Sequence, residues 1–339
     1  MHTEQTLEIG LVLYPGVQMA AVLGLTDLFA LARRHAAQRP DTPAPTLRVG
    51  HWRVEEPGAP PVRVFDSHPG HDGPLAVLIL PPSLEPPIDA AAAAPYLPWL
   101  RACHAGGSSL GSVCAGAFLL GETGLLDGRT LTTHWTYADL LQTRFPACRV
   151  DADRLVIDDG DLVTAGGLMA WTDLGLALVD RFLGPAVMLD TARMLLVDPP
   201  GREQRYYSPF VPRQAHGDGA VLRAQRWLHD NVTQPVALGE LAALAGLEPR
   251  TFLRRFQKAT GLTATEYGQR LRVDRARDLL LAGRQSIDRV AWEVGYRDPG
   301  AFRKVFLRIV GLKPGEFRRR FGGAGTAPLD DTAHRVAQA

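Results

Sequence analysis

Two stretches in the last third of the chain repeat one arrangement of apolar and polar positions. In the first, Leu238–Gly261, Leu241, Leu244 and Leu247 recur on one face of a short helix, with Ala242 and Ala245 small enough for close packing. Gly246 ends that helix and Pro249 opens the next, the usual asymmetry of helix punctuation. In the next helix Phe252 and Phe256 lie four apart and turn to the core, so Arg250, Arg254, Gln257 and Lys258 fall on its open side. The second stretch, Ser286–Gly311, repeats this. Val290, Ala291 and Val294 point inward, Gly295 marks the turn, Phe302 and Phe306 point inward, and Arg303 and Lys304 point outward. Each block reads as a helix-turn-helix, and two copies with matching Phe pairs and matching cations are a far stronger signal than one.

The first two hundred residues follow a different rhythm. Short apolar runs alternate with longer helical patterns, which predicts a parallel sheet covered by helices on both faces. Strands are expected at 9–14, 47–52, 62–65, 76–80, 109–113, 155–157 and 162–164, and helices at 21–33, 97–104, 115–122, 171–183 and 186–196. Between Asp198 and Gly219 the chain is rich in Pro, Gly and charge, as a domain boundary is. The expected organisation is therefore an α/β domain over 1–200, a linker over 201–219, an all-α domain over 220–321 and a mobile tail over 322–339.

Charge sharpens the division. The whole chain is formally +1, but Ala220–Phe321 holds 20 Lys or Arg against 10 Asp or Glu, a net +10. The remainder holds 17 against 26, a net −9. A basic module on an acidic carrier is the footprint of a phosphate-binding unit attached to something else. Three cysteines without paired or metal-type spacing argue against a disulfide framework or zinc site, and Cys103 and Cys148 read as packed thiols. His68 and His71 lack a third ligand, so no metal is expected, and no cofactor. The sequence shows neither a secretory signal nor an apolar run of the ~20 residues that a spanning helix needs, so a cytoplasmic location away from membranes is expected.

The chemistry-bearing spot is GSVCAGAF, Gly111–Phe118, where a strand runs into Cys114 and then directly into a helix. Such a turn strains the backbone and presents the side chain at its apex. The following helix N-terminus is expected to lower the thiol pKa. This turn resembles the nucleophile elbow of the PfpI-type, class I glutamine amidotransferase-like superfamily. Together with Gly121–Trp135 and Ala165–Gly184 it resembles the sensor domain of GlxA-family regulators, over roughly Leu7 to Phe210. The resemblance implies a flavodoxin-like fold and a pocket in which Cys114, Ala115, His134, Gly166, Gly167 and Asp173 are candidates. It also implies homodimerisation and a small, nitrogen-containing effector. Active enzymes of the superfamily often carry His after the nucleophile and an acid in the loop-helix after the first strand; here those positions hold Ala115 and Ala21. A thiol without base or acid lacks the activated-nucleophile constellation, so no catalysis is expected.

Val221 to about Phe321 resembles the AraC-type DNA-binding domain, through the two recognition helices, YGQRLRVDRARDLLL, VAWEVGY and GLKPGEFRRRF. That resemblance implies a connecting helix over 264–281, with Leu271, Ala276, Leu279 and Leu280 packed and Arg270, Arg272, Arg275 and Arg277 near its surface. It also implies double-stranded DNA as partner, read through Arg250, Arg254, Gln257, Lys258, Arg303 and Lys304. The expected function is a sequence-specific transcriptional regulator, an activator working through RNA polymerase more than a repressor. Two rivals stand beside it: a thiol-dependent amidase or isonitrile-hydratase-type enzyme using Cys114, and a ligand-independent dimeric regulator.

Overall fold

The computed structural model describes residues 6–39, 44–56, 58–70, 73–235 and 237–322. The tail expected after Phe321 lies, from residue 323 on, outside the described residues, as does His71. The chain divides into two compact units, Met1–Gln204 and Arg205–Ala339.

The first unit is built in the order β1 (Thr6–Leu13), α1 (Met19–Ala37), β2 (Thr46–Arg53), β3 (Val62–Asp66), β4 (Leu75–Leu80), α2 (Ala90–Ala93), α3 (Leu97–Ala105), β5 (Ser109–Val113) and α4 (Gly116–Glu122). There follow β6 (Thr130–Leu131), α5 (Ala138–Arg144), β7 (Arg149–Val150), β8 (Val156–Asp158), β9 (Leu162–Ala165), α6 (Trp171–Leu183) and α7 (Pro185–Leu195). Seven strands form one sheet in the order β3-β2-β1-β4-β5-β9-β8. Its five inner strands are parallel, and β3 and β8 run antiparallel at the edges. The parallel order is that of flavodoxin-like folds, whose ligands sit outside the carboxyl ends of the strands where the order reverses. Here the order reverses between β1 and β4, and the loops leaving them meet in the Val17–Ser83 bridge.

Burial explains why β1 and β4 read as continuous apolar runs: a parallel strand is covered on both faces. One core lies between the sheet and α1, α6 and α7, including Ile9, Leu25, Phe29, Ile79 and Leu174. The other lies beneath α3, α4 and α5, including Val12, Leu78, Leu100, Phe118 and Leu141. The elements that sequence patterning did not anticipate are α2, α5 and the pair β6–β7. Two-residue strands carry no periodicity, and α5 buries only Leu141.

The second unit is all-helical: α8 (Gly219–Asp230), α9 (Leu238–Ala245), α10 (Pro249–Thr260), α11 (Ala264–Ala282), α12 (Ile287–Glu293), α13 (Pro299–Val310) and α14 (Pro314–Phe321). It has two cores, not one. Val221, Leu241, Phe252, Phe256, Tyr267 and Leu271 form the first; Val273, Ala276, Val290, Phe302, Phe306 and Phe317 form the second. The long α11 supplies its first half to one and its second half to the other. The burial sequence of 251–260 recurs position for position at 301–310. Gly261 and Gly311 end α10 and α13 at φ 75° and 83°, in the left-handed region where glycine avoids the Cβ clash.

Three expectations are corrected. Leu244 is 44% exposed, because the inner face of α9 is set by Leu241, Ala242 and Ala245. Arg277 is buried, not superficial, because its guanidinium is taken up by the backbone carbonyls of Arg205 and Ser208. The stretch 201–219 is not a free linker. Residues up to Gln204 pack with the first unit, and from Arg205 on the chain is fastened to the second. Phe210 N–H donates to Asp274 at 3.1 Å, its ring meets Tyr267 edge-on, and Gln225 Nε2 donates to Arg213 O at 2.8 Å.

Candidate DNA interface and elbow site

The two recognition helices are held by equivalent local devices. Glu248 accepts from Arg250 N–H at 3.1 Å and so caps α10; Asp298 accepts from Gly300 and Ala301 N–H at 2.8 and 3.1 Å and caps α13. Once Phe252 and Phe256 are buried, the 3.6-residue period leaves Arg250, Arg254, Gln257 and Lys258 exposed along one side of α10. None of these four side chains has a hydrogen-bond or ion-pair partner among the described residues. Arg255, which lies between the two faces, is instead committed: its guanidinium forks onto Asp218 at 2.7 and 2.8 Å. That hydrogen bonding holds the Asp218 carboxyl at about 2.

The second recognition helix is arranged less simply. Lys304 is exposed, but Arg303 pairs with Asp288 on α12. Both side chains are about half exposed, so the pair is worth little and Arg303 remains available to a stronger acceptor. Arg303 and Lys304 share an open cleft of about 510 Å³ with Lys313 and Arg319, at the start of α14. These four cations outnumber the cleft's one carboxylate, Glu316, which is itself engaged by Lys313 N–H at 2.9 Å, and such an excess suits a phosphate oxygen. Lys313 and Arg319 are additions to the residues expected from sequence. The signal for them was the Lys-Pro that opens α14, within a motif otherwise read only for its resemblance.

In the first unit, β5 carries the chain to the carboxyl edge of the sheet, where Cys114 adopts φ 53°, one of two non-glycine residues with positive φ among those described. Cys114 N–H donates to Ala165 O at 2.8 Å and Thr133 Oγ1 donates to Cys114 O at 2.7 Å, so neighbouring strands and a loop fix the strained turn. Gly116 makes the turn possible: a Cβ there would lie 2.2 Å from Leu80 O. The predicted elbow is therefore present, with Ala115 buried beside it.

Its electrostatics differ from expectation. Burial pushes the Cys114 thiol up to about 11, although the backbone N–H groups of Ala115 and His134 act to lower it. Desolvation exceeds the pull of the helix start because Cys114 is only 3% exposed. At neutral pH the sulfur is a thiol, with thiolate on the order of one part in ten thousand. Ala21 is fully buried, and Asp27, the one acid of α1, is exposed to solvent. Tyr14 donates its hydroxyl to Pro81 O, and burial, helped by the Cys114 sulfur, pushes that phenol well above its ordinary range.

His134 is brought to the elbow through its backbone. Its ring nitrogen Nδ1 is 2.7 Å from Thr136 Oγ1 and also accepts from Thr136 N–H at 3.2 Å, and burial lowers its pKa. Asp173 is buried and paired with Arg202, whose Nε donates at 3.1 Å, so its charge is already answered inside the protein. Gly166 serves the chain's own Gln204: a Cβ there would lie 1.9 Å from Gln204 Nε2. Gly167, at φ 88°, shapes the turn into α6. Cys114, Ala115 and the His134 backbone thus form one cluster, while Asp173 and Gly166 hold the segment that leaves the unit. No group of three or more metal-ligating side chains occurs among the described residues.

Comparison with known proteins agrees with both halves. Residues 73–181 match the DJ-1/PfpI family and residues 241–320 match a helix-turn-helix domain. The chain is 31% identical over 219 residues to the HTH-type transcriptional regulator GlxA of Rhizobium meliloti, covering 64% of this chain and 67% of that one. It is 29% identical over 221 residues to the HTH-type transcriptional regulator ArgR of Pseudomonas aeruginosa, with 64% and 67% covered. Isonitrile hydratase of Pseudomonas putida is 35% identical over 116 residues, 34% of this chain and 45% of the enzyme. The chain belongs to the GlxA-type family of transcriptional regulators, in which a DJ-1/PfpI domain of flavodoxin-like fold is joined to an AraC-type DNA-binding domain.

Proposed function

We propose that the first unit senses a small, nitrogen-containing metabolite at the elbow, and that its occupancy alters how two DNA-binding units of a cytoplasmic homodimer meet their half-sites. One observation carries the sensing reading: the fold's nucleophile position is kept, strained and buried, yet burial raises the Cys114 pKa and no charged side chain among the described residues acts on its sulfur to lower it. Such a thiol lacks the activation that turnover needs. For the effector to act it must bind one arrangement of the regulator better than the other, since equal affinity shifts nothing. Exposed apolar side chains on and beside α1, Met19, Leu23 and Leu84, favour a second copy as partner. Activation through RNA polymerase is the mode that the family resemblance implies. No described helix is long and apolar enough to cross a membrane.

The enzyme reading keeps one argument of its own: two backbone N–H groups face the sulfur, and such donors favour a thiolate. Labelling and turnover separate the two. Alkylation of Cys114 by iodoacetamide in the native protein is expected to rise about tenfold per pH unit from 7 to 10 without a plateau, since the thiolate fraction climbs that way below a pKa near 11. Amide, isonitrile and glyoxal substrates are expected to be left unchanged. A plateau near pH 8, with turnover abolished by Cys114→Ser, would establish the enzyme instead.

A further inference from the structure

The segment that leaves the first unit is fastened to the loop that faces the elbow. Gln204 is 3% exposed and its carboxamide is fully engaged. Its Oε1 accepts from Trp135 N–H at 3.1 Å, and its Nε2 lies 2.8 Å from Thr133 O, 3.0 Å from Thr132 Oγ1 and 3.1 Å from Arg154 O. Gly166 leaves the room for it. The strap 132–135 therefore has two clients. On one side it holds Gln204; on the other Thr133 Oγ1 bonds Cys114 O and the His134 N–H faces the thiol. Glu203 is bridged to Arg154 and Arg202 pairs with Asp173, so 202–204 are all anchored to this unit. The very next residue, Arg205, begins the other unit, where Arg277 takes its carbonyl and that of Ser208.

We propose that Gln204 is the residue that positions the connection to the DNA-binding unit according to the state of the elbow. A ligand that shifts the strap cannot keep all four of these hydrogen bonds. A primary amide buried without its partners is costly, so the side chain leaves its socket and the chain at 204 is released from the strap. The segment beyond has no slack to absorb that release, because its carbonyls are already held. The inference rests on the elbow as effector site, but its test needs neither effector nor DNA.

Trypsin cleavage of the full chain after Arg202 and Arg205 reports the latch. Gln204→Met, which keeps the packing and removes the hydrogen bonds, is expected to speed that cleavage about tenfold or more through easier local opening. Gln204→Ala is expected to do the same and to be reversed by acetamide, which restores the deleted group, but not by acetate, which offers no N–H donors to Thr133 O and Arg154 O. The coupling is read with Thr133→Val, which cuts the strap's bond to Cys114. It is expected to speed cleavage in the otherwise native chain and to add nothing in the Gln204→Met background. Independent, multiplying effects would reduce Gln204 to packing and overturn the proposal, as would unchanged cleavage in both Gln204 variants. Intact coupling in a protein whose elbow binds nothing would sink the effector reading and leave the latch standing.

Discussion

Phe256→Ala and Phe306→Ala are each expected to lose about 3–5 kcal/mol of stability, and each to damage only its own half of the DNA-binding unit. Both rings are fully buried. Phe256 meets Phe252 and Tyr267 at 5.4 Å between centroids; Phe306 meets Phe302 at 5.6 Å and Phe317 at 5.7 Å. Truncation removes that contact area and leaves a cavity which a shared, rigid α11 cannot collapse around. Domains of this size hold only about 5–15 kcal/mol in total, so either loss is severe. Because the cores are separate, amide hydrogen exchange should lose protection over 219–271 for Phe256→Ala and over 273–321 for Phe306→Ala. Equal loss across both stretches would show a single cooperative core, and the two-core description would be wrong.

Arg254→Ala is expected to weaken binding to the chain's own operator by about 1–3 kcal/mol, roughly 5- to 150-fold, and to relax the preference at one base pair. The side chain is exposed on the open side of α10 and unpaired among the described residues, so it gives up no side-chain bond on meeting DNA. Arg303→Ala is expected to cost slightly less, by no more than the weak, half-exposed pair with Asp288 that its guanidinium must leave. Equal losses for Arg254→Ala on operator and on random DNA would place that residue on phosphate, where it supplies position and not sequence choice.

What the sequence revealed, it revealed through periodicity. The Phe pairs four apart and the glycines at the turns follow from helices burying one face, and the apolar runs of β1 from Ile9 on and of β4 from strands covered on both, so they were legible without the fold. What depends on tertiary partners was not. Nothing in LGELAALAGL distinguishes the exposed Leu244 from the buried Leu241, and nothing among four arginines of α11 singles out Arg277 as the buried one. The elbow shows the same limit. Its strain was readable from the small residues around Cys114, but its pKa was not, because desolvation depends on what covers the sulfur, and the helix-start argument pointed the wrong way. Gln204 had no local signal at all. Its partners lie about 50 to 70 residues back in the chain, and only the folded sheet edge brings them together.

Both helix-turn-helix units are expected to read DNA, side by side. Hydroxyl-radical footprinting of the full chain, on sites it selects from random duplexes, tests this directly. Each DNA-binding unit is expected to protect two adjacent major grooves on one face of the duplex, about one helical turn or ~10 bp apart, with the second groove's protection weakened by Arg303→Ala and Lys304→Ala. Protection of one groove per unit, unchanged by those substitutions, would contradict it and leave α13 as a structural repeat of α10.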